Sequence, residues 1–193
     1  MTDYRDDPRL DRAVYRPAED SELLAEAAID QVEVGRLVVE TGVGSGFVAD
    51  RLRAARDVAV VGSDVNPHAC TAARERGLPV VRGTLLSFVA TDAVDVALFN
   101  PPYLPAVPGL TDDWLERAIA GGPSGDEVLL AWIEDLPRVL RPGGFGLGLV
   151  SSVVGRERVE AHAAQAGLSV TEVASRRLPY ERLWVLRFAP VSR

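Results

Sequence analysis

The sequence has 193 residues, 47% hydrophobic and 25% charged, which is the size and balance of a single globular domain and excludes a wholly disordered chain. No stretch approaches the ~20 apolar residues of a membrane span, the charged N-terminus does not read as a secretory signal, and one cysteine, Cys70, excludes an internal disulfide; an intracellular, cytoplasmic protein is expected. Net charge is −7, with 28 acidic residues against 21 basic ones, all of them arginine, so the cationic footprint of a nucleic-acid binder is missing. A GC-rich genome and a salt-adapted cytoplasm both account for the absent lysine.

In chain order, residues 1–13 are polar and read as a flexible tail, leaving 14–193 as the domain. Residues 18–30 have helical spacing, with Leu23, Leu24, Ala27 and Ala28 on one side. Arg36 to Glu40 is a short buried strand, residues 46–55 a helix, and Val58 to Ser63 a second strand. Asn66 and Pro67 form an N-cap and a first helical position, and that helix stops at Gly77. Pro79 to Arg82 is a very short third strand and Ala93 to Phe99 the fourth. Residues 100–123 read as a loop rich in proline and glycine. A helix over 125–140 ends at Arg141-Pro142-Gly143-Gly144. Then come a strand over 145–150, a helix over 156–166, and strands over 168–175 and 181–188.

Strands alternating with helices predict βαβ units and a parallel sheet. The last two strands are joined by too few residues for a helical crossover, so they form an antiparallel hairpin. Seven strands, parallel except for that hairpin, match the Rossmann-like α/β architecture of class I S-adenosylmethionine (SAM)-dependent methyltransferases. Ligands in such sheets lie beyond the carboxyl ends of the central strands.

Glu40-Thr41-Gly42-Val43-Gly44-Ser45-Gly46 follows the first strand. Glycines there permit positive φ and close backbone approach to a ligand, although a tight turn would use them too. The dinucleotide fingerprint would need a third glycine where Phe47 stands, and the P-loop would need a lysine. An acid before the loop repels pyrophosphate and suits a cationic group, such as the amino-acid end of SAM. Asp64 ends the second strand, 22 residues after Gly42, where an acid can accept bonds from ribose hydroxyls; its alternative is a helix cap beside Asn66.

Asn100-Pro101-Pro102-Tyr103 after the fourth strand is the most specific signal. Two prolines remove two backbone donors, so carbonyl acceptors stand without competing N–H groups. The Asn100 oxygen and the Pro101 carbonyl can accept two N–H bonds while Tyr103 covers a planar group. That set suits an uncharged amine or amide nitrogen. No general base is evident.

These pieces, with Tyr15-Arg16-Pro17-Ala18-Glu19-Asp20-Ser21 and Gly121-Gly122, resemble the HemK-like glutamine methyltransferases over roughly residues 14–189. The short archaeal and eukaryotic form, acting on class I translation release factors, is the nearest match. The resemblance implies SAM-dependent N5-methylation of the glutamine in a Gly-Gly-Gln motif. It implies that Ser21, Glu40, Gly42, Gly44, Gly46, Asp64 and Asn100 bind the cofactor, and that Asn100, Pro101, Pro102 and Tyr103 hold substrate. Where the family usually has an aspartate near the adenine, this chain has Thr84, followed by Leu85. The resemblance also implies the strand order 3-2-1-4-5-7-6. Its short-form members pair with a small zinc-ribbon activator, expected here at the edge strand Pro79, Val80, Val81 and Arg82.

Other side chains carry less. His68, His162 and Cys70 are expected to cap, pack or face solvent, with no metal site. Trp132 and Trp184 are core candidates, while Trp114 could rim a pocket. Competing functions are methylation of an exocyclic amino group in nucleic acid, methylation of a protein lysine, and non-catalytic SAM binding.

Overall fold

A computed structural model of the chain describes residues 13–106 and 113–191. The βαβ alternation builds α1 (Glu19–Gln31), β1 (Leu37–Thr41), α2 (Phe47–Ala55), β2 (Ala59–Asp64), α3 (Pro67–Glu75), β3 (Val80–Arg82) and β4 (Val94–Phe99). The chain continues through α4 (Trp114–Ile119), α5 (Glu127–Val139), β5 (Leu140–Ser151), α6 (Arg156–Gln165), β6 (Leu168–Arg177) and β7 (Arg182–Pro190). The seven strands form one sheet in the order β3-β2-β1-β4-β5-β7-β6. The first five are parallel, and β7 runs antiparallel to both β5 and β6. This is the expected class I methyltransferase topology.

Side-chain alternation in β4 shows why the sheet carries helices on both faces. Val96 and Leu98 join a core with α1 and α2, including Leu24, Ala28 and Leu52. Ala97 and Phe99 point the other way, into a core with α5 built on Trp132, Ile133 and Leu136. Asp95 interrupts this apolar run near the start of β4. It accepts the Leu37 backbone N–H at 2.8 Å and pairs with Arg141 at 3.2 Å, so its charge is compensated where the strand begins.

Trp132 organises the second core. Its ring lies 5.5 Å from Phe99 and 6.1 Å from Phe188, centroid to centroid. With Leu136 it takes the space a side chain at Gly146 would need, where a Cβ would stand 2.8 Å from Leu136 and 2.9 Å from the indole; a Cβ on Gly148 would meet Phe188 at 3.1 Å.

Four expectations need correction. Residues 141–144 do not precede β5 but belong to it, because an irregularity between Val94 and Val96 absorbs the extra residues. Gly143 adopts φ +81°, and Gly144 fits where a Cβ would stand 2.8 Å from the Asp95 carbonyl. The C-terminal hairpin is longer than 168–175 and 181–188, and its turn closes through Leu178 N–H to the Glu181 carbonyl at 2.8 Å. The helix expected from 125 starts at Glu127. Residues 100–123 hold a helix, α4, whose N-cap Asp113 accepts the Glu116 N–H.

The tail expected over 1–13 lies outside the described residues except for Ala13. The Ala13 carbonyl accepts from Asn66 Nδ2 at 2.7 Å, and Val14 packs with Ala69 and Ala72. Among the described residues, no helix is long and apolar enough to cross a membrane.

Candidate active site

A cavity of about 620 Å³ opens beyond the carboxyl ends of β1, β2 and β4. The strand-to-helix turn after β1 forms its floor. Gly46 stands at φ +82°, a backbone conformation that favours glycine at the turn into α2, and it does not itself line the cavity. Gly42 and Gly44 line the cavity and also have positive φ.

Glu40 lies in β1 just before this turn. It is buried, and its Oε2 has no hydrogen-bond partner. Burial pushes its carboxyl up to about 8; the nearby charges of Asp50 and Asp64 add to the rise, and a backbone bond from Ala49 opposes it. An orphaned acceptor in a cavity wall fits the ammonium of an amino-acid group.

Asp64 ends β2 and divides its oxygens. Oδ2 accepts the Gly44 N–H at 3.0 Å and Oδ1 the Asn66 N–H at 2.9 Å. It thus holds the glycine loop to the start of α3, while Asn66 itself caps α3 by accepting the His68 N–H. Burial raises the Asp64 carboxyl, against the pull of those backbone bonds. Each oxygen keeps a lone pair for a hydroxyl donor. Thr84 and Leu85 line the same end. Leu85 takes φ +48°, and its carbonyl accepts the Ser63 hydroxyl at 3.3 Å.

Asn100 to Tyr103 form the opposite wall. Asn100 Nδ2 donates to Ser21 Oγ at 3.4 Å, Ser21 Oγ donates to Asp20 Oδ1 at 3.1 Å, and the Tyr15 hydroxyl donates to Asp20 Oδ2 at 3.0 Å. With Nδ2 committed, Asn100 Oδ1 is left buried and unpartnered. Tyr15 and Asp20 both line the cavity; the family resemblance favours an active-site position for Asp20 over a plain helix N-terminal acid, and marks Tyr15 only as part of the motif.

Glycines also set the far side of this wall. A Cβ on Gly121 would stand 2.5 Å from the Pro102 carbonyl and 2.1 Å from that of Gly125. One on Gly125 would stand 2.5 Å from the Tyr103 carbonyl. Hydrogen bonds from Gly121 N to Leu104 O at 2.9 Å and from Leu104 N to Ile119 O at 2.9 Å tie the two segments together.

Trp114 and Arg117 on α4 line the cavity, with the guanidinium 5.1 Å from the indole. Trp132 is core, and its Nε1 donates to Thr41 Oγ1 at 3.2 Å. Trp184 lies between Arg156 and Arg182, away from the cavity. His68 and His162 do not line the cavity. Cys70 is buried with its thiol toward the Asp64 carbonyl. Among the described residues, no cluster of histidine, cysteine and acids could hold a metal ion.

The donor set therefore has a cation-seeking acid at one point, a diol-seeking acid at the next strand end, and a neutral acceptor across from them. That set fits SAM beside an uncharged nitrogen. No protein-family model matches the chain. A protein of Methanocaldococcus jannaschii named as a protein N5-glutamine methyltransferase is 34% identical over 186 residues, covering 92% of each chain. Human methyltransferase HEMK2 is 30% identical over 190 residues, covering 91% of this chain and 89% of that one. Among solved structures, the E. cuniculi Mtq2–Trm112 complex, responsible for methylation of the termination factor eRF1, superposes with a TM-score of 0.78 at 27% identity. That match covers 93% of this chain and 99% of the other.

Proposed function

The chain belongs to the protein N5-glutamine methyltransferases, and from that premise we propose that it methylates the side-chain nitrogen of the glutamine in a Gly-Gly-Gln motif of a translation release factor in the cytoplasm. The observation that carries this reading is Asn100 Oδ1, a buried acceptor without a partner on the cavity wall. A buried polar atom of this kind is costly unless a ligand satisfies it. A glutamine amide brings two N–H donors and no charge, which matches acceptors flanked by prolines that carry no N–H.

Bound SAM supplies an electrophilic methyl group on its sulfonium. Glu40, as carboxylate, and the turn carrying Gly42, Gly44 and Gly46 would hold its amino-acid end. Asp64 would hold the ribose, and Thr84 and Leu85 would border the adenine. Ser21 would act at the cofactor's edge and through Asn100. Asn100 Oδ1 and the Pro101 carbonyl accept the two amide hydrogens, Pro102 sets the turn, and the Tyr103 ring covers the planar group. Catalysis on this account is orientation plus preorganised polar contacts.

A second part of the proposal concerns a partner. β3 is a sheet edge, paired only with β2 among the described residues, and Val81 on it is 38% exposed. Such an edge can accept a strand from another chain. The solved relative is itself a complex with Trm112. A small zinc-ribbon activator would add at Pro79, Val80, Val81 and Arg82, with α3 alongside.

The test is peptide mass spectrometry of release factor incubated with isotope-labelled SAM and this protein plus its activator. A labelled methyl group on the motif glutamine is expected. Label on RNA or on a lysine, with the glutamine unmodified, would overturn the reading.

A further inference from the structure

We propose that Asp20, in the first turn of α1, is a positioning residue for methyl transfer: as an acceptor-only group it fixes the direction of a chain of hydrogen bonds through Ser21, so that Asn100 turns its nitrogen to Ser21 and leaves its oxygen for substrate. The inference deepens the reading of Asn100 Oδ1 as the acceptor for the substrate amide and rests on it.

Three donors converge on this carboxylate. Oδ1 accepts the Ser21 N–H at 2.5 Å and the Ser21 hydroxyl at 3.1 Å, and Oδ2 accepts the Tyr15 hydroxyl at 3.0 Å. Asp20 is 4% exposed and Ser21 6%, so bulk water has little part in satisfying either side chain. Burial and the charge of Asp20 hold the Tyr15 phenol well above its ordinary range, so it keeps the proton it donates.

A plain structural role explains part of this. The N-cap position of α1 is Ala18, which has no side chain to satisfy the first turn, and an acid there complements the helix start. That role accounts for the bond from the Ser21 N–H. It does not account for two hydroxyls, one on each oxygen, nor for the continuation of the chain from Ser21 to the end of β4.

An ionised carboxylate accepts hydrogen bonds and donates none. A serine hydroxyl has one proton, and a charged oxygen attracts it more strongly than an amide oxygen does. With that proton given to Asp20, Ser21 Oγ faces Asn100 with lone pairs alone. Of the two ends of the amide, the nitrogen is the one that can meet lone pairs, as it does at 3.4 Å. Oδ1 is the end left buried and unpartnered in a residue of the cavity wall. Without Asp20 the Ser21 hydroxyl is free to turn and donate to Oδ1. The substrate N–H then competes for an oxygen already engaged.

The test uses the full chain with its activator and release factor, reads kcat at saturating SAM, and compares Asp20→Ala, Asp20→Asn, Ser21→Ala and the double variant Asp20→Ala/Ser21→Ala. Asp20→Ala should lower kcat by about ten- to a hundredfold, the scale of a hydrogen bond to a charged group. Asp20→Asn should recover most of that loss, because the Ser21 N–H keeps the amide oxygen on the Ser21 side while the Tyr15 hydroxyl can turn to accept from the new nitrogen. The double variant should be faster than Asp20→Ala and match Ser21→Ala, since deleting the hydroxyl unmasks Oδ1. A lost helix start or lost packing is not repaired by a second deletion. A double variant as slow as Asp20→Ala or slower, or an asparagine variant as slow as the alanine one, would overturn the proposal. Should Asp20→Ala fail to fold, side-chain NMR of Asn100 in wild type and Ser21→Ala decides. These signals, recorded without substrate or SAM, also separate this proposal from the substrate assignment. Removing the Ser21 oxygen should shift an Nδ2 hydrogen and leave the Asn100 carbonyl carbon in place; a shifted carbonyl with unmoved hydrogens means the opposite direction and refutes the role of Asp20.

Discussion

Asn100 Nδ2 lies 3.4 Å from Ser21 Oγ, a contact that joins the end of β4 to the first turn of α1 across 79 residues. With one hydrogen of that nitrogen engaged, the amide leaves its oxygen Oδ1 buried and unpartnered. Asn100→Ala should lower kcat by about a hundred- to a thousandfold, or ~2.7–4 kcal/mol, while SAM affinity changes little. Ser21→Ala, which frees the amide to turn, should cost less, about three- to tenfold, the scale of one hydrogen bond. Single-turnover kinetics with calorimetry checks both, and near wild-type turnover of Asn100→Ala would refute the role.

Asp64→Ala should weaken SAM binding by about tenfold or more, because it removes both the diol acceptor and the bond that holds Gly44. Titration calorimetry showing unchanged affinity would leave Asp64 only its local role at the start of α3.

Glu40 links cofactor binding to pH. In the free protein its carboxyl is pushed up to about 8, from 4.5 in the unfolded chain. The folded state therefore binds more protons between these values, so this group's contribution to stability is full below pH 4.5 and is lost as pH rises through about 8. An ammonium bound beside it favours the carboxylate, so SAM binding should release a proton at pH 7, and affinity should rise toward pH 8. Calorimetry in buffers of different ionisation enthalpy measures that proton. Glu40→Gln should bind more weakly and lose the pH slope; a persistent slope would assign the proton to another group.

Gly121→Ala should slow transfer although position 121 bears no chemistry. Its Cβ would stand 2.1 Å and 2.5 Å from two backbone carbonyls, neither of which can swing aside. The Pro102 segment must then move, with a rate loss of about a hundredfold, while SAM binding at the other strand ends survives. A variant with normal kcat would show that the wall tolerates displacement.

At the sheet edge, Val81→Asp should weaken the activator complex by about tenfold or more, since an uncompensated carboxylate would be desolvated in the new interface. Light scattering reads the assembly, and SAM binding to the isolated chain should be unchanged. A stable, fully active wild-type monomer at working concentration would remove the need for this partner.

The local motifs were legible because their chemistry is contiguous. Glu40 to Gly46, Asp64 and Asn100 to Tyr103 each sit at a strand end, and alternation alone brought the strand ends together. The parallel alternation and the final hairpin followed from the same pattern and the short last connection, whereas the sheet order came from the resemblance. What stayed hidden was tertiary or short. α4 has six residues inside a stretch punctuated by proline and glycine, too few for a periodic signal. Arg141 to Gly144 looked like a stop because Pro142 and two glycines usually are one; here they form a bulge that continues the strand. The bond from Asn100 to Ser21 joins residues whose nearness only the folded chain creates.

The indole of Trp132 has a consequence for how this sequence can change. With Leu136 it fills the volume above a bare position on β5, so residues 132, 136 and 146 form one steric unit distributed over a helix and a strand. A side chain arriving first at Gly146 meets the ring at 2.9 Å and must displace it, whereas loss of the ring first opens a void worth ~3–5 kcal/mol. Either order passes through a poorer protein than its start or its end. The order of steps, more than the final packing, then decides whether lineages of this fold can exchange a ring on the helix for side chains on the strand.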